Sequence, residues 1–258
     1  MESVPTLITV PARAESAEEI ESILQTLVSL RATAPEAMVL VVDDRSPAPH
    51  AGLIEIAAAE LDCAYVVQQD GEGRYAAYNV GLSVAAEHGM DAVLVAPGLV
   101  FDAPGWLIRL QARTGTDGAP AALAGGAVIE PTGLIRQAGY FFSLFRRNWS
   151  ARLARVPEVM LDVSAPLLCP VSVELALVRR EWIEPVGFFD ELLDGPHASL
   201  DYCLRVSEAG GQCVLEPSVR ARALVLEDGE PVETAASARR LRVKHVGISF
   251  QQWSPEVI

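Results

Sequence analysis

Continuous apolar runs alternate along the chain with stretches of helical periodicity. Thr6 to Val10 is a short β-branched run that Pro11 is expected to stop, and Ala17 to Leu30 places Ile20, Ile23, Leu24, Leu27 and Leu30 at helical spacing. The unit then repeats. Met38-Val39-Leu40-Val41-Val42 is apolar throughout and ends in Asp43-Asp44-Arg45-Ser46, and Gly52 to Leu61 reads as a helix. Ala64 to Val67 predicts a third strand, Tyr75 to His88 a third helix and Ala92 to Val95 a fourth strand. Strands that are apolar on both faces belong in a parallel sheet covered by helices on each side. The expected fold class is therefore α/β, a doubly wound, mostly parallel sheet with helices on both faces.

The second half is less regular. Asp117 to Gly126, rich in Gly and Ala, reads as a loop entering a strand at Ala127 to Glu130. Tyr140 to Pro157 mixes aromatic residues with arginines and reads as an irregular, partly exposed flap. Glu174 to Trp182 predicts a strand leading into a short helix, Leu200 to Ala209 a helix closed by Gly210-Gly211, Cys213 to Glu216 a strand, and Thr234 to Val243 a final helix. Residues 1–228 are expected to form one domain, with 229–258 a C-terminal helix and tail packed on it or extending from it.

Composition narrows the function. A chain of 258 residues, half of them hydrophobic, can bury a large core. Its 20 basic residues face 34 acidic ones, and a net charge of -14 argues against nucleic acid as a partner. The single lysine, Lys244, carries no functional weight in this reading. Cys63, Cys169, Cys203 and Cys213 show no CxxC spacing and read as buried thiols. Glu2 precedes any basic residue, unlike a signal peptide, and the apolar run from Ala92 to Phe101 is too short for a membrane span. A cytoplasmic location is expected, or a virion if the chain is phage-encoded.

Ligands of doubly wound sheets sit beyond the carboxyl ends of the strands. That places the chemical interest at Pro11 to Arg13, Asp43 to Ser46, Gln68 to Arg74 and Ala96 to Asp102. Two readings of Asp43-Asp44 stand at this point: hydrogen-bond acceptors for a base or ribose, or a turn that caps the next helix. Gly71-Glu72-Gly73-Arg74 opens a helix and would set Arg74 near a diphosphate.

Taken together these segments resemble the family-2 glycosyltransferases of GT-A fold. Val41-Val42-Asp43-Asp44-Arg45-Ser46 is similar to the family's VVDDxS motif, Gly73 to Gly81 to its glycine, basic residue, asparagine, glycine segment, and Pro104-Gly105-Trp106-Leu107 to its acceptor-side loop. Gly187-Phe188-Phe189-Asp190-Glu191 resembles its GxFDE turn, Asp201-Tyr202-Cys203-Leu204-Arg205 its D-x-C-x-R helix, and Glu216-Pro217 continues the register. Arg136 to Phe142 with Cys169-Pro170 resembles members from actinobacteria and their phages. The resemblance implies a nucleotide-diphosphate sugar as ligand, with Pro11, Arg13, Asp43, Asp44, Arg74 and Asn79 around it. It also implies a divalent metal on a DxD pair and a general base in an E-D-x-D stretch. Here those positions read Ala96-Pro97-Gly98-Leu99 and Ala198-Ser199-Leu200-Asp201, so no metal ligand is assigned and only Asp201 remains as a catalytic candidate.

Asp102 is expected to begin the Pro104-Gly105 turn, and His197 to be a solvated loop histidine. The aromatic and arginine-rich flap reads equally as an acceptor-binding element, a protein-binding surface or core packing. The expectation is a glycosyltransferase-like domain with impaired catalysis, acting as a binding or structural subunit with a protein partner or as a homo-oligomer. The alternative is an active, metal-independent glycosyltransferase that uses Arg74 or Arg146; a nucleotidyltransferase would need a basic glycine-rich N-terminal loop that the sequence lacks.

Overall fold

The βα alternation of the first half forms as its periodicity predicts. β1 (Thr6–Ala12) leads into α1 (Ala17–Thr33), β2 (Met38–Asp43) into α2 (Ala48–Glu60) and β3 (Ala64–Val67) into α3 (Gly73–Glu87), followed by β4 (Asp91–Val95). The computed structural model describes residues 4–115, 117–143, 148–226 and 234–246. A capping box fixes the start of α1: the Ser16 hydroxyl accepts from the Glu19 N–H at 3.3 Å, and the Glu19 carboxylate accepts from the Ser16 N–H at 3.1 Å. β1 runs through Pro11 instead of stopping there, because β4 flanks it only as far as Thr9 and the ladder beyond is with β2 alone.

The second half supplies β5 (Leu99–Val100), α4 (Trp106–Gln111), β6 (Leu123–Ile129), β7 (Ile135–Gln137), β8 (Tyr140–Ser143), β9 (Asn148–Ala151), β10 (Leu167–Leu168), β11 (Leu175–Val178), α5 (Arg180–Val186), α6 (Gly195–Glu208), β12 (Cys213–Ala223) and α7 (Ala235–Lys244). Among the described residues the main sheet has the order β10-β12-β6-β11-β4-β1-β2-β3, with β5 beside β12 and β7 beside β6. β3, β2, β1 and β4 are parallel, β11 is antiparallel to β4 and β6, and β12 runs parallel to β6. Alternate strand residues feed two cores. Ile8, Val10, Val41 and Val93 pack with α1, α2 and α4, while Leu7, Leu40, Val42 and Leu94 pack with α3, α5 and α6.

Three expectations are corrected. Strand β6 begins at Leu123, so Leu123 to Gly126 of the expected loop are strand: a Cβ on Gly125 would lie 2.6 Å from Val171 and one on Gly126 2.6 Å from Leu175, so these glycines admit close packing. α6 begins at Gly195, with Pro196 in its first turn, where an N–H has no intrahelical partner anyway. His197 is consequently not solvated; it is 6% exposed, with Nδ1 3.0 Å from the Ser237 hydroxyl of α7. In the flap, β8 and β9 pair antiparallel, Tyr140 is buried against α6 and α7, and Phe142 meets Trp149 edge-on at 5.3 Å. Phe145, Arg146 and Arg147 lie outside the described residues.

Candidate functional site

The carboxyl ends of β1, β2 and β3 bring together Arg13, Asp43, Asp44 and the start of α3. The two adjacent aspartates divide their work. Asp43 is fully buried: Oδ1 accepts from the Ser46 N–H at 3.0 Å and the Ser46 hydroxyl at 2.6 Å, and Oδ2 accepts from the Tyr65 hydroxyl at 2.6 Å. Asp43 thus closes the turn to Ser46 but does not cap the next helix, since α2 starts after Pro47 with no side-chain cap. Burial first, then Asp43, pushes the Tyr65 hydroxyl up, so it remains a donor.

Asp44 faces the other way along the edge. Its Oδ2 accepts from the Gly73 N–H at 2.9 Å and from Arg13 at 3.4 Å, and Oδ1 accepts from the Gln68 amide at 3.4 Å. The carboxylate therefore caps the N-terminus of α3, where the helix dipole favours negative charge. Arg13 is half exposed and also faces Glu15 at 3.0 Å and Glu72 at 3.6 Å. Pro11 is buried in β1.

Arg74, in the first turn of α3, sits 3.6 Å from Glu174, and Arg136 of β7 approaches the same carboxylate at 3.1 Å. Glu174 immediately precedes β11, and its carbonyl accepts from the Ala96 N–H at 2.8 Å, beside the Ala96 to Gly98 segment. Glu174 was not singled out by sequence reasoning: a lone acid before a strand carries no signal until two arginines from distant segments meet it. Asn79 is engaged in a clasp. Its amide donates to the Phe189 carbonyl at 3.1 Å and to Glu191 at 3.0 Å, and its oxygen accepts from the Phe189 N–H at 2.7 Å.

Gly98 and Ser199, where the resemblance implies carboxylates, are both turned inward. Gly98 has φ +79, its N–H donates to the Thr26 hydroxyl of α1 at 2.9 Å, and a Cβ there would lie 2.8 Å from the Ser22 hydroxyl. Ser199 is 2% exposed and accepts from the Val173 N–H at 3.3 Å. Among the described residues no group of three or more His, Cys, Asp or Glu side chains converges as a metal site. The residues at Ala96 to Leu99 thus do not fit a divalent ion, which needs carboxylate oxygens where this chain turns a glycine toward α1. Gly98→Asp is accordingly expected to lower stability by about 1–2 kcal/mol through left-handed backbone strain and contact with α1, without creating manganese affinity. Thermal melts with and without manganese check this.

Asp201 lies apart from this edge. It is fully buried between α6 and α7, its Oδ2 2.9 Å from Arg205 and its Oδ1 2.8 Å from Lys244 and 2.9 Å from His245. Burial alone would raise its carboxyl, but His245, Arg205 and Lys244 outweigh it and hold it at about 2. Asp102 pairs instead with Arg222 at 2.7 Å, exposed on the surface.

Comparison by sequence finds no matching family model and no matching curated protein. Comparison by structure finds GalNAc-T7, solved with UDP, GalNAc and Mn2+, at a TM-score of 0.67 and 16% identity, covering 94% of this chain and 48% of that one. It also finds the mannosyltransferase PcManGT from Pyrobaculum calidifontis, in complex with GDP-Man and Mn2+, at a TM-score of 0.52 and 20% identity, covering 94% of this chain and 61% of that one. The chain thus spans about half the length of the first and three-fifths of the second. At such identities the likeness establishes the GT-A-like fold alone. No described helix is long and apolar enough to cross a membrane.

Proposed function

We propose that this GT-A-like chain binds a nucleotide-diphosphate sugar without a metal, with its transfer chemistry impaired, and serves as a binding subunit alongside a protein partner or a second copy. The observation that carries the reading is the contrast along one sheet edge. Arg13, Asp44 and Arg74 gather there, whereas Gly98 and Ser199 point their backbone and side chain into the core. A cleft of this kind can hold a donor but has no assigned group to draw off the acceptor's proton, help worth about 10²–10⁴-fold in rate. Asp201, the carboxylate that survives in the motif, we assign to anchoring α7, because all its partners are cations of α6 and α7 or the adjoining His245. A buried carboxylate held at about 2 is a weak proton acceptor near neutral pH.

Calorimetric titration with UDP and GDP tests the reading. Binding is expected without manganese and unchanged by it, and Asp44→Ala is expected to weaken it about tenfold by releasing Arg13 and the first turn of α3. Manganese-dependent tight binding, or none at all, would sink the proposal. One observation favours an active, metal-independent transferase as the second reading: Arg74 and Arg136 converge as two cations beside the Ala96 to Gly98 segment. Donor hydrolysis in the presence of chelator would decide for it.

A further inference from the structure

We infer that the far side of the sheet carries a second site, a cavity in which Arg152 holds the acid group of a small monocarboxylate while apolar side chains enclose the rest of the molecule. The site lies at β10 and β12, whereas Arg13 and Asp44 follow β1 and β2 at the other side of the sheet, so it goes beyond the nucleotide reading.

The cavity measures about 270 Å³ and lies where β12 leaves register with β6, between Leu215 and Arg220. Pro217 lines it within that irregular stretch, and β10 pairs only with Val214 and Leu215 ahead of it. Buried Ala138, Leu161 and Leu215 supply apolar wall, and Asp162 and Ala165 are the exposed residues at its mouth. Apolar cavities of about 150 Å³ hold a benzene molecule, so this one has room for a ring with a short acid arm. Arg152 is set against the cavity by the turn at Gly139, whose carbonyl accepts from the Arg152 N–H at 2.8 Å. Gly139 has φ +83, and a Cβ there would lie 2.6 Å from the Cys169 thiol and 3.7 Å from Cδ of Arg152, so the arginine stem lies along a turn that only glycine makes without strain.

Charge identifies the ligand. Arg113, Arg136, Arg179 and Arg205 are half-buried and each faces a carboxylate. Arg152 is half-buried too, yet among the described residues no group hydrogen-bonds or ion-pairs with its guanidinium, in a chain whose net charge is -14. The ionisable group it does influence is the Cys169 thiol, which burial pushes up to about 12 against the pull of Arg152 and which therefore stays neutral. A cation partly withdrawn from water without an acceptor is the group an anion satisfies. Asp162 lines the same cavity, but its carboxylate accepts from the Ser164 N–H at 2.9 Å, which holds its carboxyl below the usual range and keeps it ionised. A fixed negative charge at the mouth disfavours a dianion, and a guanidinium matches a carboxylate in bidentate geometry, so the fitting ligand has one carboxylate and an apolar body.

The test is titration of the full chain at low salt and a pH of about 8 with phenylacetate, phenylacetamide and phenyl phosphate, which is a dianion there. Amide NMR shifts locate the binding and calorimetry measures it. Phenylacetate is expected to bind with a Kd of about 1 mM or tighter, with shifts centred on Ala138, Arg152 and Leu161, and the other two at least about tenfold more weakly. Arg152→Gln is expected to lose about tenfold and Arg152→Lys to recover part of it. Ala165→Phe, on the exposed mouth, should cost about fivefold or more by closing the entrance, and it keeps the test open if the Arg152 variants fail to fold. No binding of phenylacetate, or binding indifferent to these variants, overturns the inference. Phenyl phosphate binding as tightly as phenylacetate overturns the choice of a monoanion. UDP is expected to leave phenylacetate in place, and displacement by UDP would overturn a site separate from the nucleotide edge, whereas failure of UDP to bind at all removes the nucleotide reading and leaves this one standing.

Discussion

Asp201→Asn is expected to cost about 3–5 kcal/mol of stability, because it removes the one buried carboxylate that three cationic or potentially cationic groups share. For a chain of this size that corresponds to a midpoint lower by roughly 10 °C in a thermal melt. Leu241 and Ser237 are the only buried residues of α7, so the helix has little apolar surface to hold it. Its docking relies on Asp201 with Lys244 and His245, and on Asp190 with Arg240 at 2.8 Å and Lys244 at 3.3 Å. The loss should therefore appear first as release of α7, seen as fast hydrogen exchange over 235–244 at temperatures where the sheet stays protected. The pH dependence has a definite sign. Asp201 is depressed from its ordinary 3.8 to about 2, so the folded chain binds fewer protons than the unfolded one in that window. The stability it supplies, about 2 kcal/mol, is fully present above about pH 4 and lost as the pH falls toward 2. The gap between wild type and variant should narrow by about 2 kcal/mol across that interval; a gap that stays constant to pH 2.5 would show that the carboxylate is not the source.

The first half of the fold was legible because its signals are local. Continuous apolar runs and helical spacing place β1 to β4 and their helices to within a few residues, since burial on both faces of a parallel sheet demands that pattern. Where the reading failed, the deciding contacts were distant in sequence. Gly125 and Gly126 look like a loop until Val171 and Leu175 are seen pressing on them, and His197 looks solvated until Ser237 of α7 covers it. The candidate site divides in the same way. Asp43-Asp44 after an apolar strand could be found by position, but which of the two caps a turn and which meets Arg13 depends on Tyr65 and Gly73. Glu174, with Arg74 and Arg136 from 100 and 38 positions away, has no sequence signature. Lys244 had seemed without weight as a lone lysine, yet it joins Asp190 to Asp201. Charged groups acting in tertiary networks are invisible to periodicity, which reports only which face of an element is apolar.

Gly81→Ala is expected to lower stability by about 2–3 kcal/mol net, although alanine is the better helix former by about 1 kcal/mol. Gly81 is where α3 rests on β1: an added Cβ would lie 2.0 Å from the Thr9 hydroxyl, 2.6 Å from its methyl and 2.7 Å from its Cβ. None of these can give way cheaply, because Thr9 is β-branched and fully buried in a strand flanked by β2 and β4. The helix must lift, and lifting α3 moves the cleft, since its first turn carries Gly73 on Asp44 and Arg74 on Glu174. A single methyl at the seam should therefore both destabilise the chain and weaken nucleotide binding, though it touches no ligand-facing group. Thr9→Ala in the same chain removes the hydroxyl and methyl but leaves the 2.7 Å contact, so partial recovery is expected, with a coupling of at least about 1 kcal/mol between the two changes. Urea unfolding of the four-member cycle measures it, and strict additivity would mean that α3 is not positioned by this contact.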